Sequence, residues 1–197
     1  MSKSDDTVIY DFETLATGDP RTGTVLSLGM LSYERGRFLT NPYEYEELVD
    51  KASYYKFDVA DQVKRFGRVI EKDTLEWWKS QKEPEAKAVL KPSAFDIKID
   101  ELLSKIEDEY PMTQFEQVFT RGNRFDPEFL TSICGKDPFY WWAIRDTRSY
   151  IDGFLYGTNV RNDFVPEGLA EKFVKHDARH DVAMDVMRMQ YLHQETA

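Results

Sequence analysis

The sequence predicts an α/β layer fold, and three observations carry that expectation. Residues 7–13, TVIYDFE, form a β-branched and aromatic run ending in acids, which reads as a strand. Residues 24–33, TVLSLGMLSY, are apolar with small residues interspersed, as expected of a second, largely buried strand. Farther on, Ile99, Leu102, Leu103 and Ile106 recur at the 3–4 spacing of an amphipathic helix, opened by Asp96.

The remaining elements follow in chain order. The turn-rich link ATGDPRTG joins the two strands, and Gly36 predicts a turn into a third strand around 37–40. Residues 43–70 mix tyrosines and charges without clean periodicity. Helical pieces are expected from near Asp73, an N-cap candidate with Glu76 at the capping-box spacing, and Pro84 and Pro92 punctuate them. Pro111 ends the amphipathic helix, and EQVFTRG (116–122) reads as another strand. Asp126-Pro127 opens a short helix carrying Phe129, Leu130 and Ile133, stopped by Gly135. The pair Trp141-Trp142 precedes a helical stretch at 146–156, and a last helix runs from about Asp177 to His193. With no repeat, linker or low-complexity segment, residues 1–197 read as one domain.

Composition sets the boundaries of function. The 197 residues are 41% apolar, 31% charged and 14% aromatic, the profile of a folded chain. At this length folding buries roughly 70% of the unfolded surface, so no disulfide or structural metal is required. The formal charge of −10 argues against coating nucleic acid or anionic membrane by bulk charge, but leaves room for an enzyme that holds a phosphodiester through metal ions. Cys134 is the single cysteine, which excludes an intramolecular disulfide and a Cys-rich zinc module. No run reaches the 18 or more apolar residues of a membrane span, and MSKSDDTVIYDFE lacks a signal-peptide core. A soluble protein of a reducing cytoplasm is expected.

Three groups of acids stand out. Asp11 and Glu13, two apart on a strand, point to one face, where their repulsion calls for a hard divalent cation unless both are solvated beyond the strand end. HDARHD, 176–181, opens the last helix. Five residues apart on a helix, His176 and Asp181 would diverge by about 140°, so they converge only if His176 lies on the loop before it. A polar helix start with Asp177 as N-cap is the simpler alternative, and it leaves Asp181 unexplained. Asp126 ends RGNRFD, where a strand turns into a helix and an N-cap role competes with metal binding.

In order along the chain, D-F-E-T (11–14), F-D-P-E-F-L (125–130) and H-D-A-R-H-D (176–181) resemble the DEDDh family of 3′→5′ exonucleases, whose fold is ribonuclease-H-like: a mixed sheet flanked by helices. L-E-W-W-K (75–79), R-G-x-x-F-D (121–126), W-W-A-I-R-D-T-R (141–148) and H-D-A-R-H-D-V-A-M-D (176–185) are similar to the branch of phage exonuclease A and small exoribonucleases. The resemblance implies Asp11, Glu13, Asp126 and Asp181 as metal-binding acids and His176 as general base. A sister group carries a tyrosine where this chain has Asp177, so the histidine version fits. Asn123 stands three residues before Asp126, where many members have an Asn four before, which detaches it from the family's substrate contact.

The implied reaction is hydrolysis of single-stranded DNA, or alternatively RNA, from the 3′ end to nucleoside 5′-monophosphates. Two Mg2+ ions, replaceable by Mn2+, would serve it, in the host cytoplasm if the protein is phage-encoded. Backbone groups around Thr14 and Leu15 are expected against the terminal sugar or base, and Arg145 and Arg148 at phosphates, unless the arginines form surface ion pairs. Phe12 points away from the acids into the core. Trp77, Trp78, Trp141 and Trp142 are stacking surfaces for bases or core residues. Two rival readings remain at this point: a zinc hydrolase built on His176 and His180, four apart in HDARH, and a catalytically idle adaptor on a nuclease-like fold. Oligomeric state is not encoded in these patterns.

Overall fold

A computed structural model describes residues 5–196. Five strands form one sheet: β1 (Thr7–Thr14), β2 (Val25–Tyr33), β3 (Ser53–Lys56), β4 (Gln117–Thr120) and β5 (Ile144–Asp146), in the order β3-β2-β1-β4-β5. β1 pairs antiparallel with β2 and parallel with β4; β2–β3 is antiparallel and β4–β5 parallel. The helices are α1 (Arg37–Thr40), α2 (Tyr45–Lys51), α3 (Val59–Phe66), α4 (Lys72–Ser80), α5 (Pro84–Ala88), α6 (Leu102–Glu109), α7 (Phe125–Cys134), α8 (Thr147–Leu155) and α9 (Ala178–Thr196). This is the mixed, helix-flanked sheet expected. Among the described residues no helix is long and apolar enough to cross a membrane.

Alternation along β1 divides the core. Val8, Tyr10 and Phe12 pack with Leu28 and Met30 under α6 and α7, and Phe12 lies against Phe129 as a core residue. Ile9 and Leu31 face the other way, under Val182, Ala183, Val186 and Met189 of α9. Asp11 and Glu13 continue that second face past its apolar end. A third cluster, Leu15, Leu26, Trp78, Ala86 and Val89, fastens α4 and α5 to the end of β1.

The structure corrects several expectations. Residues 37–40 are α1 and not a strand: Phe38 is buried flat against Tyr33, while Ser53–Lys56, in the stretch without periodicity, pairs with β2 instead. Asp73 sits inside the first turn of α4, whose N-cap is Glu71, and the Glu71 carboxylate accepts the Thr17 and Gly18 N–H groups. Asp96 does not open the amphipathic helix. It binds the Lys56 ammonium, and a 3₁₀ turn from Ile99 leads into α6. Three-residue β5 was hidden within the Trp-rich stretch, since so short a strand carries no period. Gly135, at φ 70°, closes α7 as expected.

Gly29 decides whether the two faces meet correctly. It lies opposite Asp11 in the β1–β2 ladder, and a Cβ there would come within 2.3 Å of the Ala178 carbonyl oxygen. The start of α9 therefore rests directly on the sheet backbone, and only glycine permits it. Gly29→Ala is expected to lower stability by roughly 1–3 kcal/mol through overpacking. Gly153→Ala, within α8 and with nothing within 4 Å of its added Cβ, should gain about 0.5–1 kcal/mol. Thermal melts of the two variants check this; equal midpoints would show that α9 yields freely.

Candidate active site

Three segments far apart in sequence deliver the acids to one place. β1 carries Asp11 and Glu13 on the face toward α9. β4 stops at Thr120, opposite Tyr10, so the β1 ladder continues beyond its partner. Asp126, at the second position of α7, takes over that edge by accepting the Phe12 N–H at 3.2 Å. It is not the helix N-cap; α7 begins one residue earlier because Phe125 packs edge-on against Phe129. Asp181, in the first turn of α9, completes the group, with a carboxylate oxygen within 4.8 Å of one of Glu13. Glu13 and Asp126 are buried, at 8% and 4% exposure, while Asp11 keeps part of its surface open.

His176 lies on the loop before α9, as convergence with Asp181 requires. Its backbone is left-handed, at φ 67°, the one non-glycine residue so placed among those described. Such a conformation costs roughly 1–3 kcal/mol and clusters at functional sites. Here the His176 N–H donates to Asp181 Oδ2 at 2.8 Å, which ties the strained turn to the acid. Asp177 behaves as the expected helix cap, its carboxylate accepting the Arg179 N–H. His176 Nδ1 stands 4.0 Å from Glu13, and Glu13, His176 and Asp181 each offer a ligand atom within 4.8 Å of the others.

Charge at this site is unbalanced. Burial, then repulsion from Asp126, Asp181 and Asp185, pushes the Asp11 carboxyl well above its usual range, and burial with Asp11 and Asp181 does the same to Glu13. Asp126 and Asp181 are both pushed up to about 7, chiefly by burial. Arg121 near Asp11 and Arg148 near Asp126 offset this only in part. Burial lowers the His176 pKa, keeping the ring neutral at pH 7. An all-oxygen set of crowded carboxylates fits a hard divalent cation, whose charge they lack.

The structure also supplies a support that the sequence reading passed over. Asp185, 2% exposed and one turn beyond Asp181, binds Arg121, Arg188 at 2.6 Å and the Thr147 hydroxyl at 2.7 Å. With its oxygens occupied it holds Arg121 beside Asp11. The signal was present in the 176–185 motif, where Asp185 follows Asp181 at the i+4 spacing of one helix face.

Other expected residues separate. The Thr14 carbonyl accepts the Trp78 indole N–H at 2.8 Å, the Leu15 N–H reaches Thr24, and the Leu15 carbonyl accepts the Glu71 N–H. These backbone groups are paired within the chain. Arg145 turns its guanidinium onto the Trp142 and Ile144 carbonyls, whereas exposed Arg148 lies close enough to influence Asp126. Asn123 is exposed on the turn before α7. Trp78 is core, Trp77 half-exposed, and Trp141 and Trp142 lie largely open. His180 Nδ1 bonds the Tyr45 hydroxyl at 2.8 Å, and among the described residues it is not part of the Glu13–His176–Asp181 group.

Residues 6–192 match the 3′–5′ exoribonuclease Rv2179c-like domain. An exodeoxyribonuclease of Enterobacteria phage T4 is 28% identical over 204 residues, covering 93% of this chain and 87% of that protein. E. coli exonuclease I in complex with a dA16 oligonucleotide superposes with a TM-score of 0.62 at 16% identity, over 98% of this chain and 43% of that one. A zinc-bound E. coli exonuclease I–single-stranded DNA complex gives 0.59 at 15% identity, over 97% and 40%. The chain spans about two fifths of the length of these structures, and the likeness to them is one of fold.

The charge imbalance has a measurable consequence. Folded Asp126 and Asp181 keep their protons up to about pH 7, whereas an unfolded carboxyl releases its proton near 3.8. Between these values the native state binds more protons, so this contribution to stability is lost as pH rises. Metal-free Asp181→Asn should therefore gain on the wild type from pH 4.5 to 7.5. Added divalent ion should raise the wild-type melting midpoint strongly at pH 7.5 and weakly at pH 5. A difference between the two proteins that is flat across this range would contradict the assigned charge states.

Proposed function

The chain belongs to the Rv2179c-like 3′–5′ exoribonuclease domain family, and from that premise we propose that it removes nucleoside 5′-monophosphates stepwise from the 3′ end of single-stranded nucleic acid, DNA preferred. It is a 3′–5′ exonuclease. The observation that carries the reading is the meeting of Asp11, Glu13, Asp126 and Asp181 in one partly buried, under-neutralised cluster. The exodeoxyribonuclease likeness over nearly the whole chain supports DNA, and the family description keeps RNA as the second reading.

Asp11, Glu13 and Asp181 would hold one Mg2+ and Asp11 with Asp126 a second, with Mn2+ as a substitute. Bound there, the ions would supply the positive charge that a dianionic transition state needs and would acidify water. The chain's own residues do the rest. His176, neutral and beside Glu13, accepts the proton of the attacking water. Exposed Arg148, close enough to Asp126 to influence it, would contact a substrate phosphate. The backbone around Thr14 and Leu15, next along the strand from Glu13, would lie against the terminal sugar or base.

Matched 5′-labelled DNA and RNA oligonucleotides with Mg2+ give the test. Mononucleotides should appear from the first time point, and circular single strands should survive; internal fragments from a circle would refute the reading. His176→Ala should lose roughly 10²–10⁴ in rate, while His180→Ala, whose ring faces Tyr45, should lose far less. Calorimetry should find Mg2+ binding retained in both variants. Equal collapse of both, with loss of metal and rescue by zinc, would return the chain to the zinc reading.

A further inference from the structure

The polar surface of α4 contains one residue that does not belong there by composition. Lys72, Asp73, Glu76, Lys79 and Ser80 suit a solvated face, yet Trp77 sits among them with 44% of its surface exposed. Core packing does not account for it, because the neighbouring Trp78 is the residue that enters the core. What Trp77 does touch is His176: the two rings meet edge to face, with centroids 4.9 Å apart and planes at 84°. Trp78 stands behind both, 5.2 Å from Trp77 and 6.0 Å from His176.

This wall is fixed to the strand that bears the acids. The Trp78 indole N–H donates to the Thr14 carbonyl, one residue after Glu13, so α4 cannot shift without pulling on β1. On the opposite side, the left-handed backbone at His176 and its bond to Asp181 set where the side chain leaves the main chain. They do not set the ring torsions. No hydrogen bond from a ring nitrogen of His176 to another residue is present among the described residues, in contrast to His180, which is held by Tyr45. With Glu13 4.0 Å from Nδ1, beyond hydrogen-bond reach, packing against the indoles is the direct contact that restrains the ring.

We infer that Trp77 is a positioning residue, an indole wall that holds the His176 imidazole beside Glu13 in the orientation proton transfer requires. The inference rests on His176 acting as the base of the proposed reaction. Edge-to-face aromatic contact supplies direction as well as burial, and proton transfer is lost when a base swings out of hydrogen-bond reach.

The experiment compares Trp77→Ala, Trp77→Phe, His176→Ala and the double variant Trp77→Ala/His176→Ala on a labelled oligonucleotide with Mg2+. Trp77→Ala should lower kcat by about 10–100-fold with KM within about threefold of wild type, and Trp77→Phe should recover most of kcat because the ring wall returns. Adding Trp77→Ala to His176→Ala should cost nothing further, since a wall without a ring to hold has no effect. NMR of the His176 ring protons should show a ring-current displacement in the wild type and in Trp77→Phe that Trp77→Ala abolishes, with thermal midpoints confirming folding. A raised KM at constant kcat, or losses that multiply in the double variant, would make Trp77 a base-stacking platform and overturn the inference. If the wild type cuts neither DNA nor RNA, the functional reading falls by itself. An unchanged His176 ring signal in Trp77→Ala overturns the positioning role whatever the activity.

Discussion

Negative charge confined in a small, partly dry space governs this protein. Two carboxylates on alternate residues of β1 would already repel, and Asp126 and Asp181 are driven in beside them from α7 and α9. At an effective dielectric of about 20, each unit pair 4 Å apart is worth about 4 kcal/mol of repulsion if both are charged. The folded chain holds the cluster together by keeping protons on it and by placing Arg121 and Arg148 at its edges. The apolar packing behind it must be strong enough to bear what remains. That packing is the double-sided sheet, with Phe12 on one face and Ile9 under α9 on the other.

The same constraint explains the supports around the site. Gly29 lets α9 descend onto the sheet so that Asp181 meets Glu13, and any Cβ at that point would lift the acid away. Asp185 is a fifth acid nearby, but its oxygens are taken by Arg121, Arg188 and the Thr147 hydroxyl, and so it anchors cations beside the site as well as adding to its negative charge. The left-handed turn at His176 is held by its N–H bond to Asp181. Strain, glycine contact and buried ion network all lie within one or two turns of the four acids. A chain of net charge −10 thereby confines its attraction for a polyanion to a site that divalent ions can make positive.

Sequence alone determined the parts that depend on local pattern. The alternation in TVIYDFE placed Asp11 and Glu13 on one face, the spacing from His176 to Asp181 required a loop before the helix, and Gly135 ended α7. Order and identity of the motifs carried the family resemblance, because that information is one-dimensional. Tertiary structure decided what depends on partners distant in the chain. Phe38 found cover that turned an expected strand into a helix, and Ser53–Lys56 became β3 because the β2 edge was open to it. Asp126 spent its carboxyl on the Phe12 N–H, not on its own helix end, and the backbone at Thr14 and Leu15 was taken by Trp78, Thr24 and Glu71. Residue types fix which bonds a group is able to make, but only the folded chain decides which of the competing partners arrives.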